Sequence, residues 1–312
     1  MKLIILKRPD IAAERWDNTI KSSKNGRIYA YSWYLDIVSP NWSAIVSEDY
    51  EYIFPLPIGK NILTHKRILQ PMLCQQLGLF TSNTEITQEI LSSFLSKIPD
   101  EYSFVDLQLN EGNIELEQLG NWNFYERPNM LLDLSPKYEV LHQKFSKSTA
   151  NNIKKAKATA LKIEYVTKLD FLEGLKAVYA KKKLLKSIDL NLIGQLIDAC
   201  LSHKNGFIRG VYNQWGKLLA ADFYGKDQNR IYKLLSFSTE EGRNNEAGYK
   251  ILDSVIWENA EKNLLLDFEG SSIPGVAKFN AGFGTVSVPY YRIIRDNLPI
   301  WMVKIMKWIK KH

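Results

Sequence analysis

The spacing of apolar positions changes repeatedly along the 312-residue chain, and each change marks an element. A short strand is expected at Leu3 to Leu6, followed by a helix from Asp10 to Lys21. Segments rich in aromatic and β-branched residues (Ile28 to Ile37, Trp42 to Val46, Tyr50 to Pro57) predict strands and short helices over a buried face. Lys60-Asn61 predicts a turn. Ile90, Leu91, Phe94, Leu95 and Ile98 recur at helical spacing within Ile86 to Ile98. Strands are expected at Phe104 to Leu109 and Asn123 to Leu134, with Pro128 bending the second or holding it at an edge.

The second half is more regular. Tyr138 to Leu161 predicts helix, with Leu141, Phe145, Ile153, Ala156 and Ala160 inward. A strand at Lys162 to Val166 precedes two helical patterns, Asp170 to Leu185 and Leu190 to Ser202. Three strands follow at Gly206 to Tyr212, Lys217 to Tyr224 and Arg230 to Phe237, joined by links carrying Asn213, Gly216, Gly225 and Asp227, which suit hairpin turns. A helix from Glu246 to Lys262 leads to an apolar strand at Leu264 to Phe268. After a segment punctuated by Gly and Pro, Val286 to Ile294 makes a last strand. A three-stranded meander followed by helix and strand is α/β in class with a mixed sheet, and it is not doubly wound. The helix from Glu246 to Lys262 is the one crossover between parallel strands that this order requires.

Composition narrows the picture. With 45% apolar and 24% charged residues the chain is globular, which excludes disordered or collagenous classes. Its length suits two domains or one large one, with enough chain for a core that needs no staple. Cys74 and Cys200 are too few and too far apart for a disulfide framework, so a cytoplasmic setting is expected. The apolar run at the N-terminus ends at Lys7, too short for a signal peptide, and no stretch approaches the ~18 apolar residues of a spanning helix. His65, His142, His203 and His312 are scattered without ligand spacing, so no metal site is expected. The net charge of +7 is concentrated. From Lys144 to Lys186 twelve lysines face three carboxylates (Glu164, Asp170, Glu173), leaving the rest of the chain close to neutral. Such a band suits an anionic partner such as RNA or a cofactor's phosphates, or it coats solvated helix faces. Aromatics do not interleave with it, which argues against stacking on single-stranded bases.

Four segments carry a resemblance. Ser148-Thr149-Ala150-Asn151-Asn152-Ile153-Lys154-Lys155-Ala156-Lys157, Ala247-Gly248-Tyr249 with Leu252 and Ile256, Asp267-Phe268-Glu269-Gly270-Ser271, and Phe279 to Phe283-Gly284 are similar, in order, to motifs of the tandem-GNAT family that includes the Fem-type peptidyltransferases. Pro289-Tyr290-Tyr291 resembles the strand that follows them. Gln70-Pro71 and Gln75 to Phe80 resemble a segment of uncharacterised members. Two departures stand out: the family's Phe-Lys lysine is Asn280 here, with Lys278 two residues earlier, and the forty residues between Val166 and Gly206 leave no room for a long coiled-coil arm.

The resemblance implies two GNAT-like α/β domains, residues 1–130 (degenerate) and 131–312, the second ending in a closing helix. It implies acyl or aminoacyl transfer from acetyl-CoA or another acyl-CoA, or from aminoacyl-tRNA, to an amine on a small molecule or envelope precursor. The family's pyrophosphate loop would fall on Arg243, Asn244, Asn245, Gly248 and Lys250, with Glu246 where a glycine is usual; a helix N-terminus attracts anions, and a carboxylate there opposes them. Glu269 is the candidate base for an acceptor amine, because ligands gather at carboxyl ends of strands; alternation would put Asp267 on its face. Tyr224 and Tyr290 are candidate proton donors to a leaving thiolate. Gln75, Gln76, Asp267, Lys278, Asn280 and Phe283 are candidate substrate contacts, and Gly284 is expected to make a turn closed to other residues. Leu298 to His312 is a basic amphipathic stretch suited to closing the fold or to lying on an anionic membrane. A GNAT-fold module that binds without catalysis is the alternative reading, favoured by Glu246.

Overall fold

The computed structural model describes residues 1–83, 86–113, 120–270 and 274–299. The chain forms two compact units, Met1–Arg127 joined by the chain from Pro289, and Pro128–Val288. The division expected from the sequence, 1–130 and 131–312, keeps everything after residue 130 together, whereas in the structure the chain from Pro289 clusters with the first unit.

The first unit opens with β1 (Leu3–Lys7), α1 (Ala13–Ser22) and α2 (Ser32–Val38). It continues through β2 (Ser43–Ser47), β3 (Tyr52–Leu56), β4 (Ile58–Ile62), β5 (His65–Leu69), β6 (Phe80–Thr81), α3 (Gln88–Lys97) and β7 (Tyr102–Gln108). Strands β1, β2, β3 and β6 make an antiparallel sheet, whose central β2 and β3 are buried on both faces. Lys60-Asn61, expected as a turn, lies inside β4; the chain reverses at Leu63, which takes φ 52°. Thr87 caps α3 by accepting from Ile90 N–H, an arrangement worth ~1 kcal/mol. Leu91, Phe94 and Leu95 of α3 pack on Phe54, Ile68 and Val105.

The chain crosses into the second unit within β8 (Trp122–Asp133). It then runs α4 (Tyr138–Gln143), α5 (Lys147–Lys157), β9 (Lys162–Tyr165), α6 (Lys168–Lys181), α7 (Leu190–Ser202), β10 (Gly206–Tyr212), β11 (Leu218–Lys226) and β12 (Arg230–Ser238). Two helices, α8 (Glu240–Asn244) and α9 (Ala247–Asn259), lead to β13 (Leu265–Asp267) and α10 (Pro274–Ala281); β14 (Val286–Asp296) returns to the first unit, where it pairs antiparallel with β7. The helix expected over 138–161 is two helices, because Ser146 caps a new one by accepting from Thr149 N–H. The Gly/Pro segment before β14 contains α10, which starts on Pro274, a residue suited to a first helical position. Residues 300–312, most of the expected closing helix, lie outside the described residues, as do Ser271 and Ser272.

The sheet of the second unit runs β8-β13-β12-β11-β10-β9, antiparallel except for β12 with β13. The meander, crossover helix and parallel strand anticipated from the pattern are all present. One face packs on α5 and α9 through Val211, Tyr224, Ile231, Leu252, Val255, Ile256 and Phe283. The other packs on α6 and α7, where the Phe171 ring lies 6.3 Å from Phe223 and 5.6 Å from Phe237. The approach of α6 requires Gly174, since a Cβ there would fall 2.2 Å from the Phe237 ring. Gly284 takes φ 74° beside Lys144, as a tight turn demands.

Candidate functional site

Strands β12 and β13 pair over only three positions, Arg230 with Leu265, Ile231 with Leu266 and Tyr232 with Asp267. Beyond Tyr232, β12 runs on for six residues to Ser238, while β13 stops at Asp267. From Lys233 onward that edge of β12 has no strand partner among the described residues. An irregularity follows at once: on β11, Tyr224 faces Lys233 but Phe223 faces Leu235, so Leu234 is an inserted residue. Bulges of this kind re-aim side chains and are common beside functional sites.

A cavity of about 410 Å³ opens at this gap. Its lining comes from both faces of the sheet: Val178, Tyr179 and Lys182 of α6 with Phe237 on one side, Asp222, Lys233 and Ser236 with Tyr249 and Phe279 on the other. A cavity touching both faces has to pass the sheet where β12 has lost its neighbour. A second, wider cavity of about 770 Å³ adjoins it, sharing Val178, Lys182, Ser238 and Arg243 and adding Lys181, Lys217, Glu240, Glu241, Asn244 and Asn245. Four cations thus border the outer cavity. Lys217 is bound at 2.7 Å to Glu241, and Arg243 donates to the carbonyl of Ser238 at 2.7 Å. The Lys217 contact and an Asn213 hydrogen bond hold the Glu241 carboxyl below its ordinary range.

The loop entering α9 makes one wall. Glu246, at the entry to α9, takes φ 56°, ψ 30°, the left-handed conformation that glycine adopts freely and other residues adopt at a cost of ~1–2 kcal/mol. The backbone of a glycine loop is kept with a glutamate in it. The Glu246 side chain does not cap the first turn of α9, and Ala247 and Gly248, which carry its leading N–H groups, line the smaller cavity. Those N–H groups and the helix dipole favour an anion, while the Glu246 carboxylate opposes one.

Of the predicted cofactor residues, Arg243, Asn244, Asn245 and Gly248 line these cavities. Lys250 points elsewhere: its Nζ donates to the carbonyls of Leu161 (2.8 Å) and Ala156 (3.3 Å), and burial, with Lys157 nearby, lowers its pKa. Of the basic band, Lys181 and Lys182 reach the outer cavity, whereas Lys157 is paired with Asp253 and Lys168 with Asp198.

The other predicted residues divide by location. Asp267 is 1% exposed, with Oδ2 accepting from Arg230 (2.7 Å) and Asn129 (3.1 Å) and Oδ1 from the N–H of Glu269 (2.9 Å). Glu269 is half-buried at φ 54°, so strand alternation does not extend past Asp267, and the shared face expected for these two carboxylates is replaced by a turn. Tyr224 is fully buried with its hydroxyl on Asp222 (2.9 Å); burial first, then the Asp222 charge, holds its pKa well above the usual value. Lys278 is exposed on α10, Asn280 is buried, and Phe283 is the hub of an aromatic cluster with Phe145, Tyr249, Phe268 and Phe279. Gln75, Gln76 and Tyr290 belong to the first unit. There Gln76 donates to Gln75 and accepts from Glu111 N–H, and Tyr290 donates to Gln108 at 2.8 Å.

Tyr179, Asp222, Lys233, Ser236 and Ser238 also line the inner cavity and are not among the sequence-predicted site residues. A signal existed for two of them. Asp222 in LLAADFYGK and Lys233 in RIYKLLSFS are charges placed inside central, otherwise apolar strands. Among the described residues no cluster of His, Cys, Asp and Glu could hold a metal, and no helix is long and apolar enough to cross a membrane.

No family model and no curated protein matches the sequence. Solved structures do. The chain is similar to FemX, with a TM-score of 0.70 at 12% identity over 93% of this chain and 97% of that one. The C-terminal domain of an Agrobacterium fabrum protein described as a lysylphosphatidylglycerol synthetase gives 0.59 at 10% identity, over 91% of each chain. L-PGS from Bacillus licheniformis gives 0.57 at 12% identity, over 94% of each. At such identities the likeness is one of fold, the mixed α/β architecture that this chain shares with FemX.

Proposed function

We propose that the protein is an N-acyltransferase, moving an acyl or aminoacyl group from a thioester or ester donor to an amine. The observation that carries this reading is the parting of β12 from β13 after Tyr232, which opens a passage through the sheet beneath an uncapped helix N-terminus. Such a passage lets a donor approach from one face and an acceptor from the other.

The residues present fit a phosphate-bearing donor. Arg243, Lys182 and Lys181 supply cations at the outer cavity, and the first turn of α9 supplies N–H groups in a glycine-type backbone. An acyl-CoA is the donor class this favours, and it would supply the activated carbonyl. Aminoacyl-tRNA is the second donor, favoured by the run Lys181-Lys182-Lys183 beside the same cavity. The acceptor is an amine of a small molecule or of an envelope precursor. Glu269 lines neither cavity but follows Asp267, the last partner of β12, by two residues, and is the carboxylate assigned to take the amine's proton. Tyr224 and Tyr290 receive no step, the first because its hydroxyl is committed to Asp222 in the core and the second because it is bound to Gln108 in the first unit.

The test is donor binding and label transfer. Acetyl-CoA, longer acyl-CoAs and charged tRNA are offered separately with a mixture of amine acceptors. The expected result is a rise in melting temperature with one donor class, lost in Arg243→Ala/Lys182→Ala, and transfer of label to an amine. Millimolar acyl-CoA and micromolar charged tRNA both leaving the melting temperature and the acceptors unchanged would overturn it. Binding without transfer to any amine would favour the non-catalytic module.

A further inference from the structure

Lys233 lines the inner cavity from the face of β12 that packs on α9, and its setting is unusual. It is the first residue of β12 beyond the last β13 pair and the residue just before the Leu234 insertion. Its side chain is 15% exposed, far less than a surface lysine, yet it lines the 410 Å³ cavity. Two groups hold the ammonium: it donates to Ser236 Oγ, and Asp222 Oδ1 lies 3.8 Å away. The latter distance is too long for a hydrogen bond, so Asp222 acts on Lys233 as a charge and leaves ammonium protons free. Asp222 is itself anchored, because its other oxygen accepts the Tyr224 hydroxyl. The cavity's other cations among the described residues, Lys182 at the end of α6 and Arg243 of α8, also border the outer cavity.

We infer that Lys233 is the electrophilic catalytic residue of this site, donating to the acyl oxygen as it becomes an oxyanion, and that Asp222 and Ser236 are the residues that position it. The inference rests on the acyl-transfer reading above. In the step it serves, the amine nitrogen bonds to the acyl carbon while the carbonyl electron pair moves onto oxygen. Lys233 donates a hydrogen bond to that oxygen and keeps its proton. The carbonyl re-forms as the bond to the leaving sulfur or oxygen breaks, the leaving group takes that pair, and the amine's surplus proton goes to Glu269. A preorganised cation in a site withdrawn from water favours the charge-developed state over the neutral ground state, so it accelerates transfer more than it tightens donor binding.

The experiment compares wild type, Lys233→Met and Lys233→Arg under single-turnover conditions with whichever donor the wild type uses, and measures donor Kd by thermal shift on the same samples. Lys233→Met is expected to slow transfer by about 100-fold with Kd within about threefold of wild type, and Lys233→Arg to recover at least about tenfold of the loss. A methionine variant that transfers at the wild-type rate overturns the assignment, and so does one whose loss lies wholly in Kd. If Lys233→Met does not fold, Lys233→Gln replaces it under the same criteria, and a failure of both to fold makes the lysine structural and overturns the proposal. A wild type that transfers to no amine overturns the functional reading and this proposal together, which separates the two failures.

Discussion

Arg230 reaches across the last parallel pairs of β12 and β13 to place Nη1 2.7 Å from Oδ2 of Asp267, with the two side chains 6% and 1% exposed. Asn129 donates to the same oxygen, and the Glu269 N–H to the other. The pair sits at the base of the gap and ties together the two strands that part there. Asp267→Ala removes the carboxylate paired with the buried Arg230 guanidinium, and the expected cost is about 3–5 kcal/mol in urea unfolding. Lost donor or acceptor binding at unchanged stability would show instead that Asp267 contacts the ligand.

Replacing Glu246 separates two effects at the α9 terminus. Glycine relieves ~1–2 kcal/mol of left-handed strain, but it costs about 0.5–1 kcal/mol in chain entropy and forfeits about 0.3–1 kcal/mol from the carboxylate on the helix dipole. These nearly cancel, so Glu246→Gly is expected to unfold within about 1 kcal/mol of wild type. Donor affinity is expected to rise severalfold once the carboxylate no longer faces the phosphates. Titration with the donor at low salt checks this, and an unchanged Kd would mean the carboxylate points away from it.

Acid stability in the first unit is expected to depend on Asp36. Its carboxyl loses hydration on burial, but hydrogen bonds from Arg8 and Trp42 outweigh that and hold its pKa below the ordinary value. With the folded pKa below the unfolded one, the contribution is full above ~4 and is lost as the pH falls toward the folded value. Urea midpoints measured at pH 5 and pH 3 should converge in Asp36→Asn relative to wild type.

Both thiols are buried, and burial pushes Cys200 up to about 12. At pH 8 the Cys200 thiolate is then scarce as well as inaccessible. A colourimetric disulfide reagent is expected to label Cys200 only as fast as the protein unfolds, so that labelling in mild urea tracks the unfolding rate.

Much of this architecture is written in local pattern. The meander follows from apolar period and turn residues because its strands pair with sequence neighbours, while α9 and β13 show as a helical period and an apolar run even though β13 also pairs with the distant β8. What stayed hidden depends on distant partners. Nothing local assigns β14 to the first unit, where Ile293 packs on Val105 and Arg292 binds Asp106. The loop of Arg243 to Gly248 was legible because a helix terminus announces itself. Lys233 and Asp222 were not, since a charge in an apolar strand is either buried in a pair or aimed into a cavity, and only the parting of β12 from β13 separates these. Phe283 was legible as important but not as core, because an aromatic beside a turn glycine reads the same in either role.

The extra residue at Leu234 acts on the strand as a single inserted letter acts on a reading frame. Before it, Ile231 and Lys233 share the face of Tyr224; after it the phase is reset, so that Ser236, opposite Asp222, and Ser238, opposite Ala220, fall on that face and Phe237 turns to α6. Deleting Leu234 would remove the bulge and leave Ser236 opposite Asp222, whereas straightening the strand at its present length would exchange the sets, burying both serines against α6 and sending Leu235 and Phe237 toward Asp222. The chemical character of the passage is therefore set by the bulge as much as by residue identity, because the same residues on a straight strand would line it with Leu235 and Phe237 in place of the two serines.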